Sequence, residues 1–180
     1  DGINWTETTL PSIADWYSVA YGNGKFVAVA YDTSAAAYST DGVTWTSATM
    51  PSASKWYAVA YGNGKFVAVA TTTVAAYSVD GINWHSATMP GSVTWRHVTY
   101  GNGKFVAVAH NTTVAAYSTD GITWSSATMP SAYARRRVAY GNGMFVTVGY
   151  NNANASYSTD GVNWTDVTLP LSGRWSHVIY

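Results

Sequence analysis

Ten residues, YGNGKFVAVA, stand at Tyr21–Ala30, return unchanged at Tyr61–Ala70 and Tyr100–Ala109, and return altered as YGNGMFVTVG at Tyr140–Gly149. A second marker keeps step with them: DGINW from Asp1, DGVTW from Asp41, DGINW from Asp80, DGITW from Asp120 and DGVNW from Asp160. A fixed period of this size belongs to chains built from stacked or radially arranged units. Each unit is too small to bury its own apolar faces, so neighbouring units must cover one another.

The unit from Trp56 to Pro90 shows how such a period is filled. WYAVAYG reads as a strand, and Asn63-Gly64 is a tight hairpin turn because both central residues need positive φ. KFVAVA is a second strand, closed by a polar loop at Thr71-Thr72-Thr73. VAAYS is a third, and Asp80-Gly81 supplies the next tight turn. NWHSATM is the fourth, ended by Pro90, which cannot donate to a ladder. Runs such as Ala35-Ala36-Ala37 are too short between turn signals to hold a helix. In FVAVA, Phe26, Ala28 and Ala30 point to one face and Val27 and Val29 to the other. Both faces are apolar, so the strand expects cover on both sides. Four short antiparallel strands per period therefore predict an all-β fold, a β-propeller of four-stranded blades, as a single domain over 1–180.

The last blade is expected to be incomplete. The DGxxW marker and the innermost strand (ending in Tyr21, Tyr61, Tyr100, Tyr140 and Tyr180) each occur five times, but the two middle strands occur four times. A ring of about five blades is expected, the fifth shared by the two ends of the chain and about 19 residues short by the chain's own period. An open edge of this kind invites self-association.

The turn between third and fourth strands reads Ser39-Thr40-Asp41-Gly42-Val43-Thr44-Trp45 and Ser118-Thr119-Asp120-Gly121-Ile122-Thr123-Trp124, with Asn in place of Thr at Asn83 and Asn163. It resembles the Asp-box, or bacterial neuraminidase, repeat of sialidase-like propellers, with one residue lost between Asp and Gly. The resemblance touches every repeat and implies a non-catalytic member. In that family the box is structural, which gives Asp41, Gly42, Asp80, Gly81, Asp120, Gly121, Asp160 and Gly161 the role of turn residues. The family's catalytic set does not map here, because outside these turns the acids are Glu7, Asp15, Asp32 and Asp166. No carboxylate pair has a spacing suited to glycoside hydrolysis. The GNGK turns lack the Lys-Ser/Thr ending of a phosphate loop, and no nucleophile elbow is present. No catalytic residue, metal site or cofactor is expected.

Charge and composition narrow the partners. Nine basic and nine acidic residues cancel, which gives no long-range attraction to nucleic acid. No apolar run reaches the length of a membrane-spanning helix. The chain has no cysteine and so no disulfide or thiolate metal site.

Copies within one chain can be compared with each other, and they differ sharply in two places. The first is the start of the innermost strand: Trp16-Tyr17, Lys55-Trp56-Tyr57, Trp95-Arg96-His97, Arg135-Arg136-Arg137, and Arg174-Trp175 with His177. The second is the loop after FVAVA: Tyr31-Asp32, the Thr pair, His110-Asn111 and Tyr150-Asn151. In an up-and-down blade both lie at the end opposite the GNG and DG turns, so they converge on one rim around the central channel. Variable loops on a rigid scaffold are where recognition usually sits. Alternation within a strand would put Arg135 and Arg137 on one side and Arg136 on the other, so they would not form one patch. Aromatic faces and planar hydrogen-bonding groups suit sugars and protein hot spots alike. The recurring Trp could equally be packing between blades. The expected function is recognition of a glycan in the manner of a lectin, with a protein-binding or self-assembling scaffold as the alternative. An extracellular, cell-surface or virion-surface setting is expected for either.

Overall fold

The computed structural model describes residues 3–179, and every regular element in them is a β-strand. The strands are β1 Asp15–Gly22, β2 Lys25–Tyr31, β3 Thr33–Ser39, β4 Thr46–Ser54, β5 Ala58–Gly62, β6 Lys65–Val69 and β7 Thr71–Ser78. They continue as β8 His85–Gly101, β9 Lys104–Ser118, β10 Ser125–Gly141, β11 Met144–Ser158 and β12 Thr165–Arg174. All ladders between them are antiparallel, and β1–β4 form the first blade. The second is β5, β6, β7 and the first half of β8, whose second half opens the third blade by pairing with β9. In the same way β10 closes the third blade and opens the fourth, which ends with β12.

Sequence reading expects Pro90 to end a strand, yet β8 runs through it. The register explains this. Val74 pairs with Thr88 and Thr72 with Val93, so Pro90 lies in the interval where the ladder makes no pair and its missing N–H is not needed.

The repeated decapeptide joins each blade to the next. Val27 and Val29 share a core cluster with Phe66, Ala68 and Ala70 of the second blade. Val67 and Val69 meet Phe105, Ala107 and Ala109 of the third in the same way. Val106 and Val108 meet Phe145 of the fourth. Turn Asn side chains reach forward too: Asn63 Nδ2 donates to the Thr119 carbonyl and Asn102 Nδ2 to that of Thr159, both at 3.1 Å. The Gly that follows each Tyr is fixed by contact. A Cβ on Gly62 would lie 2.0 Å from the Tyr100 ring, and one on Gly101 2.0 Å from the Tyr140 ring.

The Asp-Gly turns close on themselves. Asp41 Oδ1 accepts from the N–H groups of Val43 and Thr44 and from the Ser39 hydroxyl, while Gly42 takes φ 76°. The same bonds recur around Asp80, Asp120 and Asp160. The amide N–H groups of Thr44 and Val43 hold the Asp41 carboxyl well below the usual carboxylate range, and that of Asn163 leads the same effect at Asp160.

The fifth set of strands expected from the chain ends is not formed in the described residues. Residues 3–14 and 175–179 carry no strand. Among the described residues the first blade's face is left open. Val19 is 59% exposed, whereas its counterparts Val59, Val98 and Val138 are 5%, 1% and 1% exposed.

The interface generates a paired prediction. Gly62→Ala forces the base of the Tyr100 ring to shift and lowers unfolding free energy by about 1–3 kcal/mol, as overpacking does. At Gly64 a Cβ meets nothing within 4 Å. Gly64→Ala therefore costs only the left-handed backbone strain, about 1 kcal/mol. Urea titration of both variants checks the order.

Candidate functional site

The start of the innermost strand is bulged, and the bulge decides what reaches the channel. Trp16 pairs with Ala30 and Ser18 with Val29, which leaves Tyr17 as the extra residue. Trp95 pairs with Ala109 and His97 with Val108, so Arg96 is extra in the same way. In the fourth blade Arg135 pairs with Gly149 and Val138 with Thr147, so the irregularity takes in Arg136 and Arg137. Bulges at rims re-aim side chains in this manner. They also overturn the simple alternation expected for the arginine run, because Arg136 and Arg137 turn to the channel together.

Together these residues line one cavity of about 210 Å³, bounded by Tyr17, Tyr57, Arg96, His97, Arg136, Arg137, Ser176 and His177. Tyr17, Tyr57, Arg96, Arg136 and Ser176 occupy the same position in the five successive copies. Ser176 is the one of the five not named among the ligand-binding residues expected from the sequence. Its place in the repeat was the signal that could have found it.

Aromatic rings hold the guanidinium groups. Arg96 lies 4.3 Å from the Tyr57 ring centroid, and its Nη1 is 3.4 Å from the Tyr17 hydroxyl. Arg136 lies 3.6 Å from the Tyr150 centroid. Tyr17, Tyr31 and Tyr57 pack against one another with centroids 5.4–5.6 Å apart, and Lys55 Nζ stands 5.6 Å over Tyr31. Tyr31 and Tyr150 thus support the cavity from behind without lining it.

Arg137 Nη1 is 3.3 Å from His97 Nε2, and the Val138 N–H is 3.5 Å from His97 Nδ1. Burial, with the Arg137 charge second, lowers the His97 pKa to about 4. Burial also lowers that of His110, whose Nδ1 lies 3.4 Å from the Arg135 carbonyl.

Other residues expected at the ligand face are placed elsewhere. Trp56, Trp95 and Arg135 are fully buried. Trp56 Nε1 donates to the Ser52 carbonyl, four residues earlier, and Trp95 Nε1 to those of Gly91 and Thr72. Arg135 keeps the same pattern in the slot, donating from Nη2 to the Ser131 carbonyl at 2.7 Å and from Nη1 to Thr112 at 3.0 Å. A planar donor of similar reach replaces the indole, which is why a core position accepts arginine. Its surroundings change with it. Tyr133 lies under the guanidinium at 3.6 Å and bonds Ser156, which donates to Asp166, where the third blade has Ala116 and Ser126. Trp16 is half-buried with its Nε1 on the Ser12 carbonyl, and Trp175 is partly exposed beside Gly173. Asp32, Asn111 and Asn151 take φ 60°, 53° and 69° in the β2–β3 type turns and lie outside the cavity. Arg174 pairs with Tyr150 at the end of β12 and is also outside it. Among the described residues no His, Cys, Asp or Glu cluster is arranged to hold a metal ion.

No family model and no curated protein matches the chain. Among solved structures it is similar to virginiamycin B lyase from Staphylococcus aureus, with TM-score 0.77 and 12% identity over 89% of this chain and 57% of that one. It is similar also to YCF48 bound to D1 peptide, with TM-score 0.73 and 16% identity over 95% and 58% of the two chains. YCF48 from Cyanidioschyzon merolae gives 0.70 and 16% over 94% and 61%. The chain thus spans less than two thirds of the structures it matches. At these identities the likeness shows the fold alone, a β-propeller scaffold. It neither adds to nor removes the expected absence of enzymatic activity.

The histidines set a pH dependence. Unfolded His97 takes up its proton near pH 6.5, and folded His97 does so only near 4. The unfolded chain therefore binds more protons in that window, and stability falls as pH drops through it. His110 acts in the same direction. His97→Asn should flatten the fall between pH 6.5 and 4, measured as the urea midpoint against pH, with the steeper loss below pH 4 from the turn carboxylates unchanged.

Proposed function

We propose that this chain is a non-catalytic recognition propeller that holds one peptide segment of a protein partner over the mouth of its central channel. The observation that carries this reading is the composition of the cavity: one position from each of five copies, with Tyr, Tyr, Arg, Arg and Ser in turn. A lectin with a sugar pocket in each blade would repeat its pocket residues. Here every copy contributes a different group to one shared site. Two of the rings suited to stacking on a sugar are engaged by the chain itself, Tyr57 by Arg96 and Tyr150 by Arg136. That favours a peptide over the glycan expected from composition. The YCF48 structure holding a D1 peptide is a propeller of similar shape occupied by a peptide. The cavity offers no carboxylate to act as acid or base.

Immobilised chain screened against peptide and glycan arrays, followed by calorimetry of the strongest hit, tests the reading. One ligand per chain is expected, with binding lost in Arg136→Ala. Several equivalent ligands per chain, or a sugar as the only hit, would overturn it.

A second reading rests on the open face of the first blade. Val19, Tyr21 and Phe26 lie where the next blade buries Val59, Tyr61 and Phe66 against its neighbour. The far side of the fourth blade presents Val146 and Val148, counterparts of the valines that fill the internal interfaces. A second copy of this chain therefore fits there, repeating an interface the molecule already makes. Light scattering over a dilution series should show concentration-dependent association that Val19→Glu abolishes. A monomer at every concentration would rule it out.

A further inference from the structure

We infer that the group recognised at the channel mouth is a carboxylate, so that the partner segment is an acidic peptide. This rests on the reading that the mouth binds a peptide and adds what the peptide must carry. The chain is neutral overall, but its charges are sorted. Arg96, Arg135, Arg136 and Arg137 lie at the starts of innermost strands, whereas Asp41, Asp80, Asp120 and Asp160 lie in turns at the other end. Arg96, Arg136 and Arg137 line the cavity, and no carboxylate lines it with them. Among the described residues none of the three makes an ion pair, and the rim acids Asp15 and Asp32 lie outside the cavity beside Tyr31.

Three guanidinium groups around so small a space repel one another unless an anion joins them. Their geometry is set in advance for one. The Tyr57 and Tyr150 rings fix the planes of Arg96 and Arg136, and a guanidinium held in plane offers paired N–H donors to a carboxylate. His97 is neutral near pH 7 and occupies one Arg137 nitrogen, which leaves the charge to the guanidinium groups. The Tyr17 hydroxyl and Ser176 border the same space and can bond a carboxylate or the peptide backbone.

Calorimetry with a blocked tri-glutamate peptide, its tri-glutamine counterpart, N-acetylneuraminic acid and inorganic sulfate tests the inference. Tri-glutamate should bind once per chain, roughly tenfold or more tighter than tri-glutamine, and weaken as salt rises. Arg96→Gln and Arg136→Gln should each lose roughly tenfold or more. Arg135→Met, which removes a buried arginine that never reaches the cavity, should leave affinity unchanged even where it lowers stability. Equal binding of the two peptides at the mouth would overturn the carboxylate while leaving peptide recognition standing. Binding of N-acetylneuraminic acid without tri-glutamate would replace the peptide by an acidic sugar and overturn both. Sulfate binding alone, or no binding by any probe, would overturn the inference as well.

Discussion

Every feature of this molecule depends on the contact between one blade and the next. The aromatic of a Tyr-Gly pair lies on the glycine of the preceding copy, the turn Asn donates to a carbonyl of the following copy, and a valine face meets a phenylalanine–alanine face. A glycine backbone lets the ring approach to a distance no side chain would allow. Burying an aliphatic or aromatic side chain at such a face contributes about 1.5–3 kcal/mol, so stability accumulates interface by interface. Three of the four copies of the decapeptide are identical, and its valines, phenylalanine and Tyr-Gly pair face a neighbouring blade.

That constraint leaves the opposite end of each blade free to differ. The Trp slot shows the limit of that freedom. Position 135 accepts arginine only because a planar donor reaches the same carbonyls, and because Tyr133, Ser156 and Asp166 change around it. One residue further on, no such constraint operates. The bulge pushes Tyr17, Arg96 and Arg136 out of the ladder and into the channel, where they meet Tyr57 and Ser176. A fixed scaffold and a variable mouth are thus separated by a single residue along the strand.

This separation also explains what could be read from the sequence. The period, the GNG and DG turns and the two apolar faces of FVAVA depend on local chemistry, and the strands and clusters follow them closely. The convergence of the variable segments on one rim follows from blade topology. The bulge is not a local property. It comes from the register between Trp95 and Ala109 and between His97 and Val108. Without it, ideal alternation sends Arg136 and Arg137 to opposite sides and hides Ser176 altogether. Burial of Trp56, Trp95 and Arg135 depends likewise on which neighbour covers them, which no single copy reveals. Residues 3–14 and 175–179 carry strand-like residues but form no strand.

The account stands on the convergence of all five copies at one mouth. The chain has no cysteine, so spin labels can be placed without background at Tyr17→Cys and Ser176→Cys, at opposite ends of the sequence. Pulsed dipolar spectroscopy should give a short, narrow distance distribution, because both sites border the same channel mouth. A long or broad distribution would mean that the first and last copies do not meet. The composite site would then not exist.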